Sequence, residues 1–224
     1  MHQLPAFPST AYDAAILDLD GTLVDTLGDF IAVLGMTLAA LGLPAVTPDF
    51  VARTIGKGSE HLIRATLAHI GAAASRYDTA WALYQQHYAR INGLHARVFD
   101  GVPEGLARLR DRGLRLACLT NKPGRFAVDL LRRTGLADHF DHVFGGDAFA
   151  RKKPDPLPLL ETCRALGAAP GRTLMVGDSS NDARAAHAAG CPLVLVSYGY
   201  NHGEPVAALA ARAHIDRLDL LPLD

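Results

Sequence analysis

The sequence predicts an α/β fold: a doubly wound parallel-sheet (Rossmann-like) core carrying an inserted α-helical cap. Three observations carry this expectation. A single apolar run, Ala15-Ile16-Leu17, precedes a long stretch of helical periodicity that no strand interrupts. From Phe99 onward the pattern changes to short apolar runs alternating with helical segments, as βαβ units require. The chain, 224 residues with 49% hydrophobic and 20% charged, is long enough for one large core plus an insertion.

Residues 1–11, with two prolines and little periodicity, read as a loose leader. The first strand follows. Helices are expected over 27–43, 48–55, 59–70 and 76–91, divided at Gly42-Leu-Pro44, Gly56-Lys-Gly58 and Gly71-Ala-Ala73. Strands over 114–119, 142–144, 173–176 and 193–196 then alternate with helices over 125–134, 156–166 and 182–189. The core is therefore assigned to residues 12–25 and 97–224, and the cap to 26–96. The aliphatic stripes of the cap helices and Trp81 read as packing.

Twenty-two basic residues against twenty-three acidic ones, with no Lys/Arg-rich block, lack the electrostatic footprint of a nucleic-acid or membrane-surface binder. A small-molecule partner is expected instead. No window approaches the ~18 consecutive apolar residues of a membrane span, and the start of the chain lacks a signal-peptide pattern, so a cytoplasmic location is expected. Cys118, Cys163 and Cys191 are odd in number and far apart in apolar segments, which suits reduced thiols in a core.

Ligands on doubly wound sheets collect at the carboxyl ends of the strands. There the first run delivers Asp18 and Asp20, two apart and so on one side of an extended backbone, with Leu19 on the other. LRLACL delivers Thr120 and Asn121. TLMVG delivers Asp178, Ser179, Ser180, Asn181 and Asp182, and Lys152-Lys153 precede a proline at the start of a helix. Singly, each has an ordinary reading: Ser179 or Ser180 as a helix N-cap, Thr120-Asn121 as a turn, the lysines as a solvated pair. Together, Asp18, Asp20 and Asp178 at one edge of a low-dielectric sheet repel unless a cation sits among them. A hard divalent ion resolves this. Mg²⁺ fits best, because it takes few protein carboxylates and leaves positions for water or phosphate oxygens.

Asp18-Leu-Asp20-Gly-Thr-Leu-Val-Asp25, Thr120-Asn121, Lys153-Pro154 and Gly177-Asp178-Ser-Ser-Asn-Asp182 resemble the four ordered motifs of the haloacid dehalogenase superfamily of phosphatases. The resemblance runs from Asp13 through essentially the whole chain. TNKPGRFAVDLLRRTGL, FGGD, KKPDPLPLL, LMVGDSSND, AAGC and YGYNHGEP narrow it to the bacterial phosphoglycolate phosphatases, whose cap is inserted at the same place. The resemblance implies that Asp18 attacks phosphorus to form an aspartyl phosphate, and that Asp20 serves first as acid and then as base. It implies Mg²⁺ held by Asp18, Asp178 and the Asp20 carbonyl, with Asp182 behind them or reaching the ion through water. Thr120 and the Asn121 backbone would bind phosphoryl oxygens, and Lys153 would offset charge; Lys152 is expected to face solvent.

Because it carries an acid at Asp20, the chain departs from the dehalogenase and phosphonatase branches. Hydrolysis of 2-phosphoglycolate is the activity implied. Another small phosphate monoester (a sugar or amino-sugar acid phosphate) and a sugar phosphomutase stand as alternatives, while the nucleophile beside an acid argues against a purely binding module. Specificity falls to the cap turn around Gly56, with Lys57 and Arg64 as candidates for the substrate carboxylate and, equally, as a surface lysine and a cap salt bridge. His202 reads as ordering the loop at 198–204 rather than positioning substrate, and Asp25 as a structural residue at the hinge. Monomer and dimer remain equally open.

Overall fold

The computed structural model of the protein describes residues 12–222, so the expected leader lies outside the described residues. β1 (Ala14–Leu17) leads through the two-residue β2 (Val24–Asp25) into four helices: α1 (Leu27–Ala40), α2 (Pro48–Thr54), α3 (Ser59–His69) and α4 (Tyr77–Ile91). β3 (Arg97–Val98) returns the chain beside β2 as an antiparallel partner, with Val24 opposite Val98. There follow α5 (Val102–Asp111), β4 (Arg115–Leu119), α6 (Gly124–Arg133), β5 (His142–Phe144), α7 (Leu157–Leu166), β6 (Thr173–Gly177), α8 (Ser180–Ala189), β7 (Leu193–Val196) and β8 (Ala213–Ile215).

Six of these strands form one parallel sheet in the order β5-β4-β1-β6-β7-β8. The order reverses direction at β1, which lies between β4 and β6, and that reversal makes the crevice where Asp18 and Asp20 emerge. Alternate residues serve opposite faces. Ala15 and Leu17 join Leu106 and Leu130, whereas Ala14 and Ile16 join Leu159 and Ala186. Since helices cover both faces, the strands read as continuous apolar runs rather than as alternating ones.

The four helices following β2 have their own apolar cluster, built around Phe30, Leu62, Tyr84 and Tyr88, and Phe126 of α6 packs into it. Asp29, fully buried in α1, accepts from the backbone N–H groups of Gly93 (2.6 Å) and His95 (2.8 Å). One carboxylate thereby ties the chain's entry into this helical layer to its exit.

Several boundaries differ from expectation for local reasons. The first helix ends at Ala40, where Gly42 turns to φ +64 and the N–H of Leu43 reaches back to the carbonyl of Leu38. The last core helix starts at Ser180 because Ser179 is its N-cap, with Asp182 completing a capping box. The sequence reading did not separate α5, the β2–β3 pair or β8. All three cysteines are free and buried, Cys163 Sγ lying 3.9 Å from Cys191 Sγ. Among the described residues no helix is long and apolar enough to cross a membrane.

Candidate active site

The turn that ends β1 aims its two acids into different surroundings. Asp18 Oδ1 accepts from the N–H of Leu19 (2.8 Å) and lies 3.0 Å from Lys153 Nζ. Asp20 Oδ1 instead accepts from Thr26 Oγ1 (2.8 Å) and Lys122 Nζ (2.8 Å). Both side chains are nearly closed off from solvent, yet each has its own ammonium.

Asp18, Asp178 and Asp182 each offer a carboxylate oxygen, and these oxygens lie within 4.8 Å of one another. The repulsive trio expected from the sequence is therefore revised at the level of side chains: Asp182 joins Asp18 and Asp178, and the carboxylate of Asp20 turns toward Thr26 and Lys122. Burial pushes Asp18 up to about 7; Lys153 pulls against this and Asp182 adds to it. Asp178 is raised well above the ordinary carboxylate range, by burial first and then by Asp182 and Asp18. Lys153 cannot balance three acids. Its Nζ donates to Leu119 O (2.8 Å) and Asp182 Oδ1 (2.7 Å) besides pairing with Asp18, which uses all three of its donors. Burial opposes charge on this ammonium, but Asp18 and Asp182 outweigh burial and hold its pKa above the usual lysine value. Oxygen donors carrying excess negative charge in a desolvated crevice fit a hard divalent cation. Asp182 is the least available of them, because its Oδ2 also accepts from the hydroxyl (2.7 Å) and N–H (3.2 Å) of Ser179.

Asp178 is fixed by glycines as much as by donors. Thr22 Oγ1 (3.3 Å) and the N–H of Tyr200 (2.8 Å) donate to it. A Cβ on Gly21, whose φ is +85, or on Gly199 would collide with its carboxylate.

Thr120 and Asn121 stand at the end of β4, as expected. The Asn121 amide donates to Lys153 O (2.9 Å) and to Gly56 O (3.0 Å), and Asn181 Nδ2 reaches the same Gly56 carbonyl at 3.2 Å. Thus the cap turn at Gly56 rests on two core loops. The pocket beneath it is lined by Asp18, Asp20, Phe30, Gly56, Thr120 and Lys122 among others. Lys57 is exposed, and Arg64 lies 3.7 Å over the ring of Tyr77 on a different surface of the cap. Lys152, expected in solvent, instead pairs with Glu60 of α3 at 2.6 Å.

The loop at 198–204 acts as a scaffold. Tyr198 Oη donates to Thr22 O (2.8 Å), Asn201 Oδ1 accepts from the N–H of Ser180 (2.9 Å), and His202 Nε2 lies 3.4 Å from Asn181 Nδ2, packed beside Gly56. Burial, assisted by Lys57, lowers the His202 pKa. Lys122, Thr26 and Tyr200 are the neighbours of the site that sequence reasoning missed. For Lys122 a signal existed, since it directly follows Thr120-Asn121 at the same strand end.

The family model of the haloacid dehalogenase-like hydrolases matches residues 12–190. The chain is 43% identical over 208 residues to a phosphoglycolate phosphatase of Thiobacillus denitrificans, covering 92% of each chain. It is 45% identical over 211 residues to a plasmid-borne phosphoglycolate phosphatase of Cupriavidus necator, covering 93% of this chain and 91% of that one. Its fold superposes with a TM-score of 0.90 on the crystal structure of a predicted phosphoglycolate phosphatase from Haemophilus somnus, at 29% identity over 93% of this chain and 96% of the other. A buried carboxylate cluster at the switch point of the sheet and a family match over most of the chain agree: the protein belongs to the haloacid dehalogenase-like hydrolase family.

Proposed function

We propose that the protein is a Mg²⁺-dependent phosphatase that hydrolyses 2-phosphoglycolate to glycolate and phosphate through an aspartyl phosphate on Asp18. The observation that carries this reading is the division of labour between two neighbouring acids, one against Lys153 and the carboxylate cluster, the other against Lys122 and Thr26. Relatives named for phosphoglycolate hydrolysis at 43% and 45% identity support the choice of substrate.

With Asp18 Oδ1 engaged by Leu19 and Lys153, its other oxygen attacks phosphorus as the bond to the ester oxygen breaks. Asp20 gives its proton to the departing alkoxide, then takes one from the water that attacks the aspartyl phosphate and frees Asp18. Thr26 holds Asp20 in place for both transfers. Thr120 and the Asn121 backbone receive the phosphoryl oxygens, and Lys153 offsets their charge. The ion would be held by Asp18, Asp178 and the carbonyl of Asp20, with Asp182 behind, anchoring Lys153. When bound, it supplies the positive charge that keeps Asp18 anionic and neutralises the phosphoryl group.

Residues 26–96 act as the substrate-selecting cap and residues 12–25 and 97–224 as the catalytic core. A small anionic metabolite and reduced thiols suit a cytoplasmic enzyme. Steady-state phosphate release with Mg²⁺ across a panel of monoesters tests the assignment. We expect 2-phosphoglycolate to lead by kcat/KM; a sugar phosphate in first place would replace the substrate, and no hydrolysis at all would remove the phosphatase reading.

A further inference from the structure

Phosphoglycolate is short, so its carboxylate lies only a few bonds from the ester oxygen that Asp20 must protonate. The pocket around Asp20 is therefore asked to accept the substrate's carboxylate beside its acid. Its walls include Phe30, Ile55 and Leu62, which offer an anion nothing.

The cation in that lining is Lys122. Its side chain is 1% exposed, and its Nζ donates to Asp20 Oδ1 (2.8 Å) and Tyr88 Oη (2.6 Å). The ammonium also sits 4.7 Å and 4.9 Å from the ring centroids of Phe30 and Tyr88. An ammonium has three donors, and among the described residues no oxygen takes the third. The other basic groups named for the site are committed or exposed. Lys153 has spent its donors on Leu119, Asp182 and Asp18; Lys152 holds Glu60; Lys57 is exposed; and Arg64 covers Tyr77.

We propose that Lys122 is the specificity-determining residue for the substrate's carboxylate, receiving it on the free donor of an ammonium that Asp20 and Tyr88 hold in place. This deepens the phosphoglycolate reading and rests on it. Held beside the Asp20 carboxyl, the ammonium offers the incoming carboxylate an opposite charge, and the Phe30 and Tyr88 rings keep water away from it. Both rings belong to the cap while Lys122 belongs to the core, so the carboxylate subsite is complete only with the cap in place.

The test compares 2-phosphoglycolate with 2-hydroxyethyl phosphate, an uncharged-tail monoester of the same carbon chain length, in wild type, Lys122→Met, Lys122→Gln and Lys122→Arg. Both rates are free to fall, since Lys122 also touches Asp20; the readout is the ratio of the two kcat/KM values. In the Met and Gln variants we expect that ratio to fall by at least about thirtyfold, and in Lys122→Arg to stay within about fivefold of wild type. Calorimetric titration in an Asp18→Asn background, where nothing turns over, should show the same selective loss of phosphoglycolate affinity on adding Lys122→Met. An unchanged ratio and unchanged relative affinity would overturn the role of Lys122 while leaving the substrate assignment standing. A wild-type enzyme indifferent to the carboxylate would overturn both.

Discussion

Tyr200 Oη donates to Asp25 Oδ1 at 2.6 Å and accepts from the N–H groups of Thr26 (2.8 Å) and Leu27 (3.1 Å), at the point where the core passes into the first cap helix. The backbone N–H of the same tyrosine donates to Asp178. Asp25 thereby gains a definite job at the hinge: it also accepts from the N–H of Leu27 at 3.2 Å, and its carboxylate locks the phenol that caps α1. Tyr200→Phe removes the hydroxyl and strands the Thr26 N–H, while Leu27 keeps Asp25 and residue 200 keeps its own N–H on Asp178. We expect a loss of about 1–3 kcal/mol in unfolding free energy. Thermal unfolding at fixed metal concentration measures it, and an unchanged midpoint would show that the hinge does not depend on the phenol.

Gly199 and Gly21 flank Asp178 so closely that neither position has room for a methyl group. Gly199→Ala should push the Asp178 carboxylate out of the cluster. Misplacement by about 1 Å is enough to cost about a hundredfold in rate. Activity as a function of Mg²⁺ concentration should show both a lower maximum and a higher half-saturating concentration. Normal metal dependence in a folded Gly199→Ala protein would mean that Asp178 does not need this confinement.

Asp18 in the folded chain is pushed by burial from 3.8 to about 7. Between those two values the native state keeps a proton that the unfolded chain has released, so without a metal ion stability falls as pH rises through this window. The raised Asp178 acts in the same direction. An ion that binds the carboxylates favours their charged forms and offsets the loss. The Mg²⁺-induced rise in melting temperature should accordingly be larger at pH 8 than at pH 5, with chelated protein as the reference at each pH. A gain independent of pH would separate the ion from these acids.

Asp18→Asn keeps the shape of the side chain and removes both the nucleophile and one of the three crowded charges. Turnover should drop to background while the melting temperature in chelator stays level or rises, because a desolvated carboxylate beside Asp182 has been neutralised. Phosphate release and thermal unfolding on the same preparation decide it. Retained activity would end the aspartyl-phosphate mechanism.

The parts of this protein that were legible in the sequence are those where one residue type serves one strong constraint. Buried on both faces, β1, β4 and β6 had to be apolar past their first residues, Arg115 and Thr173 in the latter two, and their carboxyl ends had to be polar, so Asp18, Thr120 and Asp178 could be read directly. The helix VPEGLARLRD was overlooked because only one narrow face, Leu106 and Leu109 with Val102, is buried, leaving a polar string with a proline at its start. β2 and β3 are only two residues long, too short for any periodicity to register, and the three-residue β8 lies beyond the last helix that the pattern marks. Lys122 and Tyr200 were missed for a different reason. Their places beside Thr120-Asn121 and within the 198–204 loop put both near the site, but their roles come from partners 102 and 175 positions away in the chain, Asp20 and Asp25, and no local pattern encodes such pairings.

The carbonyl of Gly56 receives amide hydrogens from both Asn121 and Asn181. Those amides address a backbone oxygen, so the handshake between turn and core rests on the peptide of Gly56, where a φ of +97 and the nearness of His202 call for glycine, and not on the side chain at 57. Position 57, exposed beside that carbonyl, is therefore open to variation. A graft that replaced the whole turn with a foreign one should still dock, provided its peptide oxygen arrives at the same point. In this way selectivity can drift while the seating of the cap is inherited intact.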